Sequence, residues 1–129
     1  MQAIVNLLKN RWLYLATLIV CVIVISVLAF TDPPKQASLG NDKYNHFLAF
    51  FVLAFLCSHG LLLKLRYKLV LLGCYGLLIE WVQSHLPHRT ASILDFAADM
   101  AGALTYFALA WLITLLANWF KLRRTTDAP

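Results

Sequence analysis

Glu80, Gln83, Arg89, Ser92, Asp95 and Asp99 crowd into one stretch of a 129-residue chain that is 61% hydrophobic and 13% charged. Glu80 and Gln83 sit inside one apolar run and Asp99 inside the next. An ionisable group in hydrocarbon costs about 2.5–3.5 kcal/mol on insertion scales, so these positions call for a specific role. A second polar pair, Asp42 and His46, is four residues apart and so shares one face of a helix. Histidine titrates near physiological pH and serves as acid or base. The planar fork of Arg89 suits a carboxylate or a phosphate. Two carboxyls in contact, Glu80 and Asp99, can share one proton. Candidate ligand-binding residues are therefore Asp42, His46, Glu80, Gln83, Arg89, Ser92, Asp95 and Asp99, with His46 and Glu80 the candidates for a catalytic base. The competing reading is a satisfied hydrogen-bond network that fixes helix register without any ligand.

The elements that must position these residues are helices. Apolar runs recur near 12–30, 44–63, 69–86 and 93–120, and a spanning helix needs about 20 predominantly apolar residues. The expectation is an all-α, polytopic membrane protein of one domain with four transmembrane helices. Lys9, Arg11, Lys64, Arg66, Lys68, Lys121, Arg123 and Arg124 flank the runs on one side, leaving Lys35, Lys43 and Arg89 for the other. That asymmetry places both termini in the cytoplasm. Asp32-Pro33-Pro34 ends the first helix, and Asn41 or Asp42 can cap the second. Pro87 closes the third at about Leu86. Ser92, with Asp95 three residues on, reads as the cap of the fourth. Ser92, Asp95, Asp99 and Gly102 then form one helical stripe. Glu80 and Asp99 each lie about 10 Å from the outer ends of consecutive antiparallel helices, hence at matched depth. The outer ends of the last three helices, with His85 and His88 in the turn between two of them, would form a polar pocket opening outward.

The net charge of +5 is a topology signal, and no nucleic-acid partner is expected. Cys21, Cys57 and Cys74 each fall in an apolar run and imply no disulfide framework. The first apolar core is longer than a signal-peptide core of about 7–15 residues, which favours an uncleaved span. Gly73 and Gly76 read as packing positions, since no Gly-rich nucleotide motif is present. No cofactor is expected. No metal site is assigned either, because no His-x3-His pair lies on one helix and His85-x2-His88 crosses a proline turn.

Two blocks of sequence resemble the VanZ-like family of small bacterial membrane proteins. Asp42-Lys43-Tyr44-Asn45-His46-Phe47 is similar to the family's Asp-Lys-x-x-His-Phe opening of a span. Glu80-x2-Gln83, followed by Pro87-x-Arg89-x2-Ser92-x2-Asp95 and Gly102, is similar to its signature around the last pair of spans. The blocks cover nearly half of the chain, and Asp99 stands where the family usually has Asn. The resemblance implies a multi-pass protein of the bacterial plasma (inner) membrane and cell envelope. Its namesake is linked to lowered susceptibility to a lipoglycopeptide antibiotic. It implies no particular reaction and no need for a second acid at position 99. The expected partner is a membrane lipid, with an anionic lipid or a lipid-linked wall precursor as the candidate ligand. The alternatives are a membrane-embedded enzyme acting on such a lipid and a structural or partner-binding subunit.

Overall fold

Capping and turn residues divide the apolar sequence into four helices, and the computed structural model describes residues 10–31, 42–87 and 91–126. Residue 42 and residues 124–126 are described by their backbone alone. Helix α1 is Arg11–Phe30, α2 Asp42–Gly60, α3 Leu65–Gln83 and α4 Ile93–Thr126, with no strand among the described residues. The all-α expectation holds.

Asn10 caps α1 by accepting the Trp12 N–H at 3.1 Å, and the helix ends at Thr31, whose backbone is extended. Helix α2 stops at Gly60, three residues before the expected end. Its last turn is closed by Lys68 of α3, whose Nζ donates to the Ser58 carbonyl at 3.1 Å. A cation at a helix C-terminus also complements the helix dipole. Lys68, in the first turn of α3, is thus a buried capping residue. Helix α3 starts earlier than its apolar run, at Leu65, and ends earlier than Leu86, at Gln83. Ahead of Pro87 the chain tightens: His85 and Leu86 donate to the carbonyls of Val82 and Gln83, three residues back.

Helix α2 is the hub and packs on all three others, most extensively on α4, while α1 does not reach α4. Phe50, Leu53, Ala54 and Cys57 recur at i, i+3, i+4 and i+7, one buried stripe. Against it lie Leu72 and Ile79 of α3 and Ala103 of α4. Half-buried Leu18, Cys21, Val22 and Ile25 of α1 cover the stripe from the other side. The Tyr75 ring stacks on Phe50 at 5.8 Å, and its hydroxyl donates to the Val22 carbonyl at 3.1 Å and meets Ser26 Oγ at 2.9 Å.

Helix directions alternate. Leu15 near the start of α1 meets Gly60 at the end of α2, whereas Ala29 near the end of α1 meets Gln83 at the end of α3. One end of the bundle therefore gathers the end of α1, the start of α2, the end of α3 and the start of α4. Around the bundle the surface is apolar: Ile19, Ile23, Val70, Leu77, Trp111 and Ile113 are all exposed. Lys68, Glu80, Gln83, Asp95 and Asp99 are instead buried, the reverse of a water-facing protein. Helix α1 and the stretch of α4 from Ile93 to Arg123 are long and apolar enough to cross a membrane. Helices α2 and α3, at 19 residues each, carry ionisable groups within that length.

Candidate functional site

The two parallel helices α2 and α4 meet through three successive contacts. Lys43 Nζ donates to Asp95 Oδ1 at 3.0 Å. One turn on, His46 Nδ1 lies 2.9 Å from Asp99 Oδ1. Next, the Phe47 backbone is so close to Gly102 that a Cβ there would overlap the Phe47 carbonyl oxygen. Spacing explains the match, because 43, 46 and 47 share one face of α2, as 95, 99 and 102 share one face of α4.

Helix α3 completes the cluster. Gly76 leaves room for the Asp99 carboxylate, since a Cβ there would stand 3.1 Å from Asp99 Oδ2. One turn after it, Glu80 Oε2 accepts the backbone N–H of Ser92 at 2.6 Å. In a capping box that N–H is taken by the acid three residues into the same helix. Asp95 holds that position but faces Lys43, and Glu80 of the neighbouring helix takes over its task. A carboxylate at the start of α4 is also favoured by the helix dipole.

His46, Glu80 and Asp99 each bring one ligand-type atom into a group whose members lie within 4.8 Å of one another. Asp99 is 0% and Glu80 8% exposed. The matched depth expected for the two acids is present, with His46 joining them from a third helix. One oxygen of each carboxylate is held, Glu80 Oε2 by Ser92 and Asp99 Oδ1 by His46. Glu80 Oε1 and Asp99 Oδ2 are buried with no hydrogen-bond partner among the described residues. Unmatched buried acceptors cost about 1–3 kcal/mol each, more when charged.

The other candidates divide. Asp95 is a rim residue paired with Lys43, whose side chain is 44% exposed. Ser92 contributes its main-chain N–H. Gln83, expected in the pocket, points instead to α1, donating from Nε2 to the Ala29 carbonyl at 3.1 Å. His85 is exposed and its ring contacts Ser84 and the Trp81 carbonyl of its own helix, apart from the cluster. The Asp42 side chain, His88 and Arg89 lie outside the described residues. Lys43 was missed as a site residue, although its three-residue spacing from His46 puts both on the face that meets Asp95 and Asp99. Tyr75 was missed as the link to α1; its signal was a phenol hydroxyl inside an apolar run, which needs a partner when buried.

Chemically, the cluster can orient an imidazole, hold a proton between two acids or surround a cation. No model of a known protein family matches the chain, and no solved structure matches it. An uncharacterized protein of the fission yeast Schizosaccharomyces pombe is 33% identical over 115 residues, covering 85% of this chain and 67% of that protein. This chain belongs to that protein's family. A match of such breadth cannot leave out the stretch from Lys43 to Asp99 that carries the cluster.

Proposed function

We propose that the chain is a four-span membrane protein of VanZ-like type, seated in a bacterial plasma membrane with both termini in the cytoplasm. Its pocket at the outer face binds the phosphate-bearing head group of an anionic lipid, of which a lipid-linked wall precursor is one form. The observation that carries this reading is the convergence of Lys43, His46, Glu80, Asp95 and Asp99 at one end of a bundle whose outer surface is apolar. A lipid is the ligand that presents a polar group at that level while its chains run along such a surface. Lys43 at the half-exposed rim and His46 beneath it supply N–H donors for phosphate, and Arg89 stands in the sequence between α3 and α4. Helix length and the placement of basic residues support this topology. Helices of 19 residues are about 28 Å long, close to the ~30 Å hydrocarbon thickness. Arg11, Arg66, Lys68, Lys121 and Arg123 lie toward the end of the bundle opposite the cluster, as a cytoplasmic face requires.

Photo-crosslinking tests this reading, with a photoreactive residue in place of exposed Tyr44 and vesicles of defined composition. Anionic phospholipid should be captured in preference to zwitterionic lipid, and His46→Ala or Arg89→Ala should reduce capture at least tenfold. Capture that ignores head-group charge, or that survives both substitutions, rejects it.

The His46–Asp99 pair favours a second reading, a membrane-embedded enzyme on a lipid ester. An ionised carboxylate only accepts, so Asp99 would fix the proton on Nδ1 and present Nε2 as the general base. Purified protein that leaves lipid phosphate and acyl esters intact over long incubation removes it.

A further inference from the structure

Two buried carboxylates on neighbouring helices, each with one oxygen held and one unmatched, need positive charge. We infer that His46, Glu80 and Asp99 form a binding site for one divalent transition-metal ion. Each residue comes from a different helix, α2, α3 and α4, which is why no ligand pair is visible within any single helical stretch of the sequence.

The geometry is close to what an ion requires. Nitrogen and oxygen ligands stand about 2.0–2.2 Å from such an ion and so about 3–4 Å from one another. The three donor atoms lie within 4.8 Å of one another, a separation that small side-chain rotations close. The unmatched atoms, Glu80 Oε1 and Asp99 Oδ2, are the two carboxylate donors the ion would take. Glu80 Oε2 is already anchored by the Ser92 N–H, the kind of outer support that holds a metal ligand in place, while His46 Nδ1, 2.9 Å from Asp99 Oδ1, is the ring nitrogen that would turn from the carboxylate to the ion. Charge also balances: two carboxylates and a neutral imidazole around a doubly charged ion sum to zero, which removes the main cost of burying both acids. One imidazole with two carboxylates is a donor set for Zn²⁺, Mn²⁺ or Fe²⁺, whereas Mg²⁺ and Ca²⁺ favour oxygen alone. Three protein ligands leave at least one position open to water.

This inference does not depend on the lipid reading, and its test contains no added lipid. Full-length protein, purified in detergent and stripped with chelator, is dialysed against Zn²⁺ alone and Mn²⁺ alone, and bound metal is measured by elemental analysis. About one ion per chain is expected. Asp99→Asn keeps the size and one acceptor oxygen of the original and should still fold, yet it should weaken binding at least tenfold, as should Glu80→Gln. His85→Ala, on the exposed turn, should bind like the parent. In the parent protein loaded with Mn²⁺, pulsed electron paramagnetic resonance should detect one coordinated imidazole nitrogen, a readout that needs no variant. No stoichiometric binding, equal binding by Asp99→Asn and parent, or no imidazole coupling each overturns the inference. If metal binds but lipid capture fails, only the lipid reading falls; if lipid is captured but no metal binds, only this one does.

Discussion

A single hydrogen atom decides how closely α2 and α4 approach. At Gly102 a methyl group would overlap backbone atoms of Phe47, which cannot rotate away, whereas at Gly73 the nearest atom to an added Cβ is Met100 Sδ at 3.8 Å. Gly102→Ala should therefore destabilise the protein by about 1–3 kcal/mol, the range for overpacking, and Gly73→Ala should be close to neutral. Thermal unfolding in detergent compares them; equal stabilities would show that the helices separate without cost. Gly73 was legible as a packing position and Gly102 as a member of the stripe on α4, but sequence alone did not rank them, because the distinction lies in what stands opposite. Asp99 was legible as anomalous, an acid in an apolar run. Its pairing with His46 was not, since the two are 53 residues apart and only helix register joins them. Glu80 was legible as buried and polar, while its service as the cap of another helix was hidden by Asp95, which occupies the position where that acid belongs.

At the scale of elements, α1 is held differently from the others. None of its residues is buried, and polar contacts fasten it to α3: Tyr75 to Val22 and Ser26, and Gln83 to Ala29. The apolar run read as an uncleaved span is therefore attached by hydrogen bonds that a hydropathy pattern does not reveal. Tyr75→Phe keeps the ring against Phe50 and removes the hydroxyl. It should cost about 0.5–1.5 kcal/mol and should increase proteolysis within α1 more than within α4. Protection unchanged in both helices would mean that side-chain packing alone retains α1. The helix limits were readable to within a few residues. The misses came at the end of α2, at both ends of α3, where a tightened turn before proline shortens the end, and at the end of α4, which runs on to Thr126 past its apolar stretch.

For the molecule as a whole, alternating helix directions put the described basic residues other than Lys43 at one end and the acid–histidine cluster at the other. The proposed orientation can be checked in a chain freed of Cys21, Cys57 and Cys74. Tyr44→Cys should react with a membrane-impermeant thiol reagent added outside intact cells, and Arg66→Cys only after the cells are opened. Equal labelling of both from outside would reject the four-span arrangement. The division into four helices was accessible from the sequence because hydropathy is a sum over many residues. The inside of the cluster was not, because it depends on a few side chains whose partners are remote.

The hydrogen bond from Ser92 to Glu80 bridges 12 residues, whereas His46 reaches Asp99 across 53. Closing a shorter loop costs less chain entropy, so α3 should pair with α4 through Glu80, and with the end of α2 through Lys68 and Ser58 only 10 residues apart, before the start of α2 meets α4. The two acids would then already lie side by side when the imidazole arrives, making histidine the last member of the cluster to join. Glu80→Gln should consequently slow refolding, while His46→Ala should mainly speed unfolding. Kinetics of the two variants in detergent would reveal the sequence of events, and the opposite pattern would reverse it.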